Sequence, residues 1–327
     1  MTDTVPCPID LTVIVNVFNG APTLRRALNS IVNQSLVPKR IIAWDNQSTD
    51  ETARICSEFP TVDYFCSPTH TTLGHARELA RTHVTSSWLA YLDADDYWYP
   101  NKLEEQSRFL HHSVGLVYSS VEERTASDRL LRTIRPSSPT GFQVDSLLVH
   151  WDISLVTALI NNDLLKKYAI HFDPKITASE EQDLIMQLAS VSPFVSIFSV
   201  HGVITVSGNS LTNRSLRVLG LERRATLEKL QLATPYSFSL ISFNASYHQS
   251  YYYDAVYLMS ASSFRVARQL LLRLLALSPS RFIFLYLLSF SPPLWTFLHS
   301  RPVKSFVTGL IAFASFRFLL YSLRQGR

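Results

Sequence analysis

Short apolar runs alternate with segments of helical period over the first 120 residues. The run at 11–18 is rich in β-branched residues and ends at Asn19-Gly20, a pair typical of turns. Apolar residues then recur at 24, 27, 28 and 31, which is the spacing of one helix face. The predicted strands are 11–18, 41–44, 62–65, 88–92 and 115–119. The predicted helices are 24–31, 76–83 and 102–111, and a further helix is predicted to begin at the capping box 48–51.

This alternation predicts the architecture of the first part of the chain. Strands joined by helices through short connections imply right-handed crossovers and a parallel, twisted sheet with helices on both faces. Beyond residue 124 the pattern loosens, with helices expected at 161–168 and 180–190 and strands at 195–200 and 202–206. After residue 215 the chain is helical in pattern. We therefore expect an α/β domain over 1–215 and a helical C-terminal region over 216–327.

Composition excludes several classes of protein. The chain has 327 residues, of which 46% are hydrophobic, so it is too apolar to be disordered. Its three cysteines and the absence of a CxxC pair indicate neither a disulfide framework nor a zinc site, and favour a reducing compartment. The N-terminal segment lacks a basic stretch before its apolar run, so we expect no signal peptide.

Charge is divided unevenly along the chain. Residues 1–254 have a net charge of −5, whereas residues 255–327 contain nine Lys or Arg and no acid. This asymmetry predicts a tail that binds anionic surfaces, although it lacks the motif context of a nucleic-acid binder.

The apolar stretches of that tail are too interrupted to predict a clean membrane span. The stretch 282–298 is divided by Pro292-Pro293, and 305–316 is stopped by Arg317. Apolar helices with interspersed arginines, together with Trp295, favour an interfacial, membrane-associating element over 281–327. Helices docked on the catalytic domain or on a dimer partner are the main alternative, and a membrane hairpin is another.

Acidic residues follow two of the predicted strands. Asp45 ends the second strand, and Asp93, Asp95 and Asp96 follow the fourth. Ligands of open parallel sheets bind at the carboxyl ends of the strands. An Asp-x-Asp there supplies hard oxygen ligands for Mg²⁺ or Mn²⁺, with substrate phosphate and water completing the coordination. An Asx turn capping the next helix is the structural alternative.

Four segments together resemble glycosyltransferase family 2 of the GT-A fold. They are residues 11–52, LGHARELA at 73–80, YLDADDYWYPNKLEEQ at 91–106 and SEEQDLIMQLA at 179–189. The resemblance implies a Rossmann-like, mostly parallel twisted sheet flanked by helices, followed here by the helical region. It also implies an inverting, metal-dependent transfer of a sugar from a nucleoside diphosphate, in surface-polysaccharide or lipopolysaccharide assembly.

The resemblance implies roles for the donor-site residues. Asp45 matches the acid that hydrogen-bonds the base, typically uracil, so a UDP-sugar is the expected donor. Asn19 lies near the nucleoside, and Arg77 near the donor phosphates. Asp93 contacts the ribose or sugar, and Asp95, with Asp93, holds Mg²⁺ or Mn²⁺.

Glu181 aligns with the general base of an inverting transfer. Glu180 and Asp183 crowd the same helical turn and stay open as alternatives. Thr205 and Ser207 stand where many family members carry Arg-x-His. Either other groups hold the donor pyrophosphate, with Arg214 or Arg217 as candidates, or some activity is lost.

We expect the acceptor to be a saccharide or lipid-linked saccharide hydroxyl, reached from the cytoplasmic side by an enzyme peripheral to the inner face of the cytoplasmic membrane. Two alternatives remain open. One is a polyprenyl-phosphate sugar synthase of the same fold, and the other is a non-catalytic scaffold with this fold.

Overall fold

A nine-stranded mixed sheet is the framework of the computed structural model, which describes residues 8–206, 216–233, 238–277 and 279–298. Its strands are β1 (Ile9–Val17), β2 (Pro38–Asp45), β3 (Val62–Cys66), β4 (Trp88–Asp93), β5 (Tyr97–Trp98), β6 (Leu116–Thr125), β7 (Leu130–Ile134), β8 (Leu159–Asn161) and β9 (Phe194–Val206). Their order is β3-β2-β1-β4-β8-β6-β9-β5, and β7 pairs with β6.

The first four strands form a parallel block, as the sequence pattern predicts. β1 pairs in parallel with both β2 and β4, and β2 pairs in parallel with β3. The carboxyl ends of β1, β2 and β4 therefore lie side by side. Asn16 of β1 is level with Trp44 of β2 and with Asp93 of β4.

Beyond β4 the sheet is mixed. β8 lies antiparallel between β4 and β6, while β6 and β9 are parallel. β5 and β8 were not predicted, because segments of two or three residues are too short to show a period. β7 was not predicted either; none of its residues is buried, so it lacks the alternation of a half-buried strand. The two strands predicted at 195–200 and 202–206 are one strand, β9, whose register with β6 shifts around Ser119 and Ser120.

Helices cover the parallel block and the mixed part of the sheet. Apolar residues of the first helix, including Leu24 and Leu28, are fully buried against the sheet, which confirms the predicted helix face. The helices of this part are α1 (Ala21–Val32), α2 (Thr52–Ser57), α3 (Leu73–Arg81), α4 (Lys102–Ser107), α5 (Val144–Val149), α6 (Asn162–Lys167) and α7 (Glu180–Ala189), with a 3-10 helix at Leu155–Thr157.

The described residues fall into two compact units. One contains 8–206, 228–233 and 238–239, and the other contains 216–227, 240–277 and 279–298. The predicted boundary at 215 lies outside the described residues and stays a prediction. The predicted α/β class with a helical C-terminal region is confirmed.

The second unit is helical and has its own apolar core. Buried members of this core include Tyr252, Leu271, Phe282 and Trp295. Trp295 is therefore a core residue, and its predicted place at a membrane interface is wrong. The helices are α8 (Leu216–Ala233), of which residues 228–233 belong to the first unit, α9 (Leu240–Ser260), α10 (Phe264–Leu277), α11 (Pro279–Leu288) and α12 (Pro292–Leu298).

None of the helices in the described residues is long and apolar enough to cross a membrane. The apolar stretch 305–316, with Arg317, lies outside the described residues.

Candidate functional site

A buried arginine organises the carboxyl edge of the parallel block. Arg77 of α3 donates from Nη2 to both carboxylate oxygens of Asp93, at 2.9 and 3.2 Å, and from Nη1 to Glu180 Oε1 at 3.0 Å. The Arg77 side chain is only 3% exposed. Burial alone would lower the pKa of Arg77, but the charges of Asp93 and Glu180 raise it, so the guanidinium stays charged.

The close approach of α3 and α7 depends on a glycine. A Cβ added to Gly74 would lie 3.0 Å from Glu180 Cβ and 3.2 Å from its Cγ, which is tighter than most side-chain contacts. The absence of a side chain at 74 thus lets Arg77 and Glu180 meet. This contact joins the LGHARELA segment to the acidic helix across 103 residues of sequence.

The Asp-x-Asp turn presents two of its three carboxylates. Asp93 ends β4 with its side chain 38% exposed, and Asp95 is exposed. Asp96 is buried, and its Oδ1 accepts a hydrogen bond of 2.8 Å from the Thr205 N–H. Burial and the neighbouring charges of Asp93 and Asp95 raise the pKa of Asp96 well above its ordinary range. Asp93 and Asp95 are therefore the carboxylates available to a ligand.

These two carboxylates fit a divalent cation that is completed by a substrate. Although the Asp95 side chain is exposed to solvent, the protein atoms around its carboxyl group and the charge of Asp93 raise its pKa, so the two carboxylates repel each other when no cation is bound. Among the described residues, no group of three or more His, Cys, Asp and Glu side chains could hold a metal by itself. A Mg²⁺ or Mn²⁺ ion bound here would take its remaining oxygens from a phosphate and from water.

The three acids that open α7 have different environments. Glu180 pairs with Arg77, and Asp183 accepts from Lys229 Nζ at 2.8 Å. Glu181 forms no ion pair with any residue that the structure describes. Burial raises the pKa of Glu181 to about 7; Arg77 opposes the rise, while Glu180 and Asp93 add to it. Of the three, Glu181 is the acid poised to exchange a proton near neutral pH.

Asn19 and Asp45 lie in a second cluster at the same edge of the sheet. Asn19 adopts a positive φ of 50° and accepts at Oδ1 from the Thr49 N–H at 2.8 Å. Its own N–H donates to Ser48 Oγ, so the Ser48 side chain ties the two loops together instead of capping a helix as predicted. Asp45 Oδ1 in turn accepts from the Ser48 N–H at 2.7 Å.

Asp45 is less accessible than the predicted base contact implies. It is 2% exposed, and Tyr64 donates its hydroxyl to Asp45 Oδ2 at 2.7 Å. Each oxygen still has one free lone-pair direction, so its role in binding the base stays a prediction. Sequence reasoning missed Tyr64, because it lies on the neighbouring strand β3 and carries no motif.

Arg26 is the second residue that sequence reasoning missed. From α1 its Nη2 reaches both the main-chain oxygen of Asp95 and Thr205 Oγ1, each at 2.7 Å. The contact with Thr205 spans 179 residues, so no local pattern signals it. Ser207 and Arg214 lie outside the described residues, and Arg217 is exposed at the start of α8.

The chain is similar in sequence to known glycosyltransferases. The sequence model of Glycosyl transferase family 2 matches residues 12–168. The Escherichia coli protein UDP-Glc:alpha-D-GlcNAc-diphosphoundecaprenol beta-1,3-glucosyltransferase WfgD is 23% identical over 165 residues, which are 50% of this chain and 64% of that protein. The chain spans less than two thirds of the length of the curated relatives it matches.

Two solved structures share the fold. S. aureus TarS 1-349 in complex with UDP-GlcNAc superposes with a TM-score of 0.65 at 15% identity, covering 91% of this chain and 92% of that one. Mannosyltransferase PcManGT from Pyrobaculum calidifontis, in complex with GDP-Man and Mn²⁺, gives a TM-score of 0.56 at 16% identity, covering 98% and 90%. The expected GT-A fold is confirmed.

Proposed function

Because the sequence model of Glycosyl transferase family 2 matches residues 12–168, we propose that the chain is an inverting, metal-dependent glycosyltransferase. It transfers a sugar from a UDP-sugar to a hydroxyl group of a saccharide or lipid-linked saccharide. The observation that carries this proposal is the cluster at the sheet edge, where Glu181, with a pKa of about 7, lies near the Arg77–Asp93 pair.

Glu181 acts as the general base. It takes the proton of the acceptor hydroxyl while that oxygen attacks the anomeric carbon from the face opposite the leaving group. The new glycosidic bond forms as the bond from the sugar to the diphosphate breaks, and the diphosphate leaves with the electron pair. One displacement of this kind inverts the anomeric carbon. A base with a pKa near 7 is about half ionised at pH 7 and still accepts a proton effectively.

Arg77 and the two aspartates hold the donor. The Arg77 guanidinium fixes the Asp93 carboxylate, which then contacts the ribose or the sugar of the donor. Asp95, with Asp93, would hold Mg²⁺ or Mn²⁺, and that ion would supply a Lewis acid for the departing diphosphate. PcManGT, which shares the fold, was solved in complex with GDP-Man and Mn²⁺, and this supports the assignment of a metal here.

Two similarities support a uridine donor and a lipid-linked acceptor. TarS was crystallised with UDP-GlcNAc, and the name of WfgD gives a UDP-glucose donor and a diphosphoundecaprenol-linked acceptor. In this chain Asp45 and Asn19 lie together beside the carboxyl ends of β1 and β2, where they would receive the base and nucleoside. Donor sugar and acceptor are both to be measured.

The helical unit binds a membrane surface in this proposal. Large apolar side chains of α11, α12 and the turn between them are about half exposed, which is unusual for a monomer in water. They are Ile283, Phe284, Leu287, Phe290 and Leu294. The Arg268 guanidinium lies 4.9 Å from the Phe290 ring centroid, so apolar and cationic groups are adjacent, as in helices that bind anionic lipid.

A sedimentation experiment tests the membrane surface. The full chain should sediment with vesicles that contain phosphatidylglycerol and less with pure phosphatidylcholine. The double substitution Phe284→Asp and Leu287→Asp should abolish sedimentation, whereas Phe198→Asp, at an exposed phenylalanine of β9, should leave it unchanged. Equal sedimentation of all three proteins would refute this surface.

The activity is tested by release of nucleoside diphosphate from UDP-, GDP- and dTDP-sugars, with and without Mn²⁺, in the presence of lipid-linked acceptors. We expect turnover of a UDP-sugar that requires the metal and is lost in Asp95→Ala. Binding of no donor at all would overturn the transferase and favour a non-catalytic scaffold. A polyprenyl-phosphate sugar synthase would retain activity in Glu181→Gln, because its phosphate nucleophile is already ionised.

A further inference from the structure

Arg26 connects three separate parts of the catalytic unit. It extends from α1 and donates from Nη2 to the main-chain oxygen of Asp95 and to Thr205 Oγ1, both at 2.7 Å. Its guanidinium carbon lies 4.5 Å from the centroid of the Tyr97 ring. The Thr205 N–H completes the connection by donating to Asp96 Oδ1 at 2.8 Å. The turn after β4 and the end of β9 are thus held by one side chain.

The charge of Arg26 matters because the turn is acidic. Three carboxylates occur within residues 93–96, and Arg77 is hydrogen-bonded to the first of them only. The Arg26 guanidinium adds a positive charge beside this turn, where it donates to the main-chain oxygen of Asp95. Without Arg26, less positive charge would offset the mutual repulsion of the three carboxylates before a cation binds.

We propose that Arg26 is a positioning residue of the donor site, which holds the Asp-x-Asp turn against the end of β9 so that Asp95 faces the diphosphate of the donor. The inference rests on the proposed function. Arg26 acts through the main chain of Asp95 and through Thr205, and it needs no contact with the sugar. It therefore governs how tightly the metal–diphosphate unit binds.

The chemistry of the contact favours arginine over lysine. One nitrogen of the guanidinium donates two hydrogen bonds while its planar face lies over Tyr97. A lysine ammonium could make the hydrogen bonds, but it is a compact charge that cannot stack in the same way. Arg26→Lys should therefore restore part of what Arg26→Ala loses.

The neighbouring residue offers a matched control. Arg25 lies on the same helix, is about half exposed and forms an ion pair of 2.5 Å with Glu58, which directly follows α2. Exposed pairs of this kind contribute little to stability. Arg25→Ala removes the same charge and the same side chain one position away, without touching the turn or β9.

The experiment measures UDP binding to the full-length chain by calorimetry over a series of Mn²⁺ concentrations, alongside donor kinetics. For Arg26→Ala we expect UDP affinity in saturating Mn²⁺ to fall at least tenfold, and donor KM to rise with it. UDP affinity without metal should change less than threefold. Arg26→Lys should be intermediate, and Arg25→Ala should stay within twofold of the wild type. Equal losses with and without metal would indicate a merely structural residue and overturn the inference.

A charge relocation provides a second test. Because Thr205 Oγ1 lies 2.7 Å from the guanidinium, an arginine at 205 can place its charge in the same space when residue 26 is alanine. The double variant R26A/T205R should recover at least a third of the lost Mn²⁺-dependent affinity. If R26A is too unstable to measure, the Mn²⁺-dependent UDP affinities of R26K and of the double variant are compared with that of the wild type instead.

The two proposals fail in different ways. A wild type that binds no nucleotide overturns the proposed function. A wild type that binds UDP with Mn²⁺ while R26A and R26K do so equally well overturns only the role of Arg26.

Discussion

Replacing Glu181 by glutamine should raise stability while it removes activity. Burial raises the pKa of Glu181 from an ordinary 4.5 to about 7 in the folded chain. A group whose folded pKa is raised contributes stability that is present below pH about 4.5 and is lost as the pH rises through about 7. At ~1.4 kcal/mol per pH unit, a rise from 4.5 to about 7 makes the ionised side chain cost on the order of 3 kcal/mol at pH 8. A neutral glutamine avoids that cost.

The loss of activity follows from the same pKa. With a pKa of about 7, roughly a tenth of Glu181 is ionised at pH 6 and roughly nine tenths at pH 8. Wild-type kcat/KM should therefore rise about tenfold between these pH values. Glu181→Gln should lose about 10²–10⁴-fold in activity and show no such rise.

Urea unfolding at pH 5 and pH 8 measures the stability, and diphosphate release over the same range measures the activity. We expect Glu181→Gln to be more stable than the wild type at pH 8 and nearly equal to it at pH 5. The neighbouring acids are the controls. Glu180→Gln and Asp183→Asn each remove one of the two carboxylates that pair with a cation, Arg77 or Lys229. Asp93 and Asp173 remain as the second partners, so each variant should lose about 1–3 kcal/mol and not gain stability.

Two results would refute this reasoning. If Glu181→Gln is less stable at pH 8, the carboxylate is a structural partner and not a strained base. If it keeps activity within tenfold on a hydroxyl acceptor, another group removes the proton.

Three further perturbations follow from the contacts. Lys102 is fully buried and donates to Gln106, and burial holds its pKa well below 10.5. The stability of the wild type should therefore rise with pH up to about 10.5. Urea unfolding of Lys102→Met should show higher stability than the wild type at pH 7 and no such rise with pH. Gly74→Ala should crowd Glu180, lowering kcat/KM several-fold, while calorimetric stability changes little because alanine favours the helix by ~1 kcal/mol. Tyr64→Phe removes a hydrogen bond to buried Asp45 and should lower unfolding free energy by ~1–3 kcal/mol, and an unchanged urea midpoint would contradict it.

The sequence alone determined the parallel block and the positions of the acidic motifs. Apolar periodicity reports which face of a local segment is buried, so β1 to β4 and the first helix could be predicted from residues close in the chain. The carboxyl ends of parallel strands meet at one edge, which placed Asp45 near the Asp-x-Asp turn. The prediction that Glu181 is the base still requires the experiments above.

The pairing of those motifs depends on contacts between segments that are distant in the chain. The order of β8, β6 and β9 depends on contacts between distant segments, and strands of two or three residues show no period. Arg77 meets Glu180 across 103 residues, and Arg26 meets Thr205 across 179. A local sequence pattern does not indicate partners that lie so far apart in the chain. Which acid of α7 is paired with a cation, and which is partly buried without an ion pair among the described residues, is therefore a property of the fold, because it depends on what packs against each carboxylate.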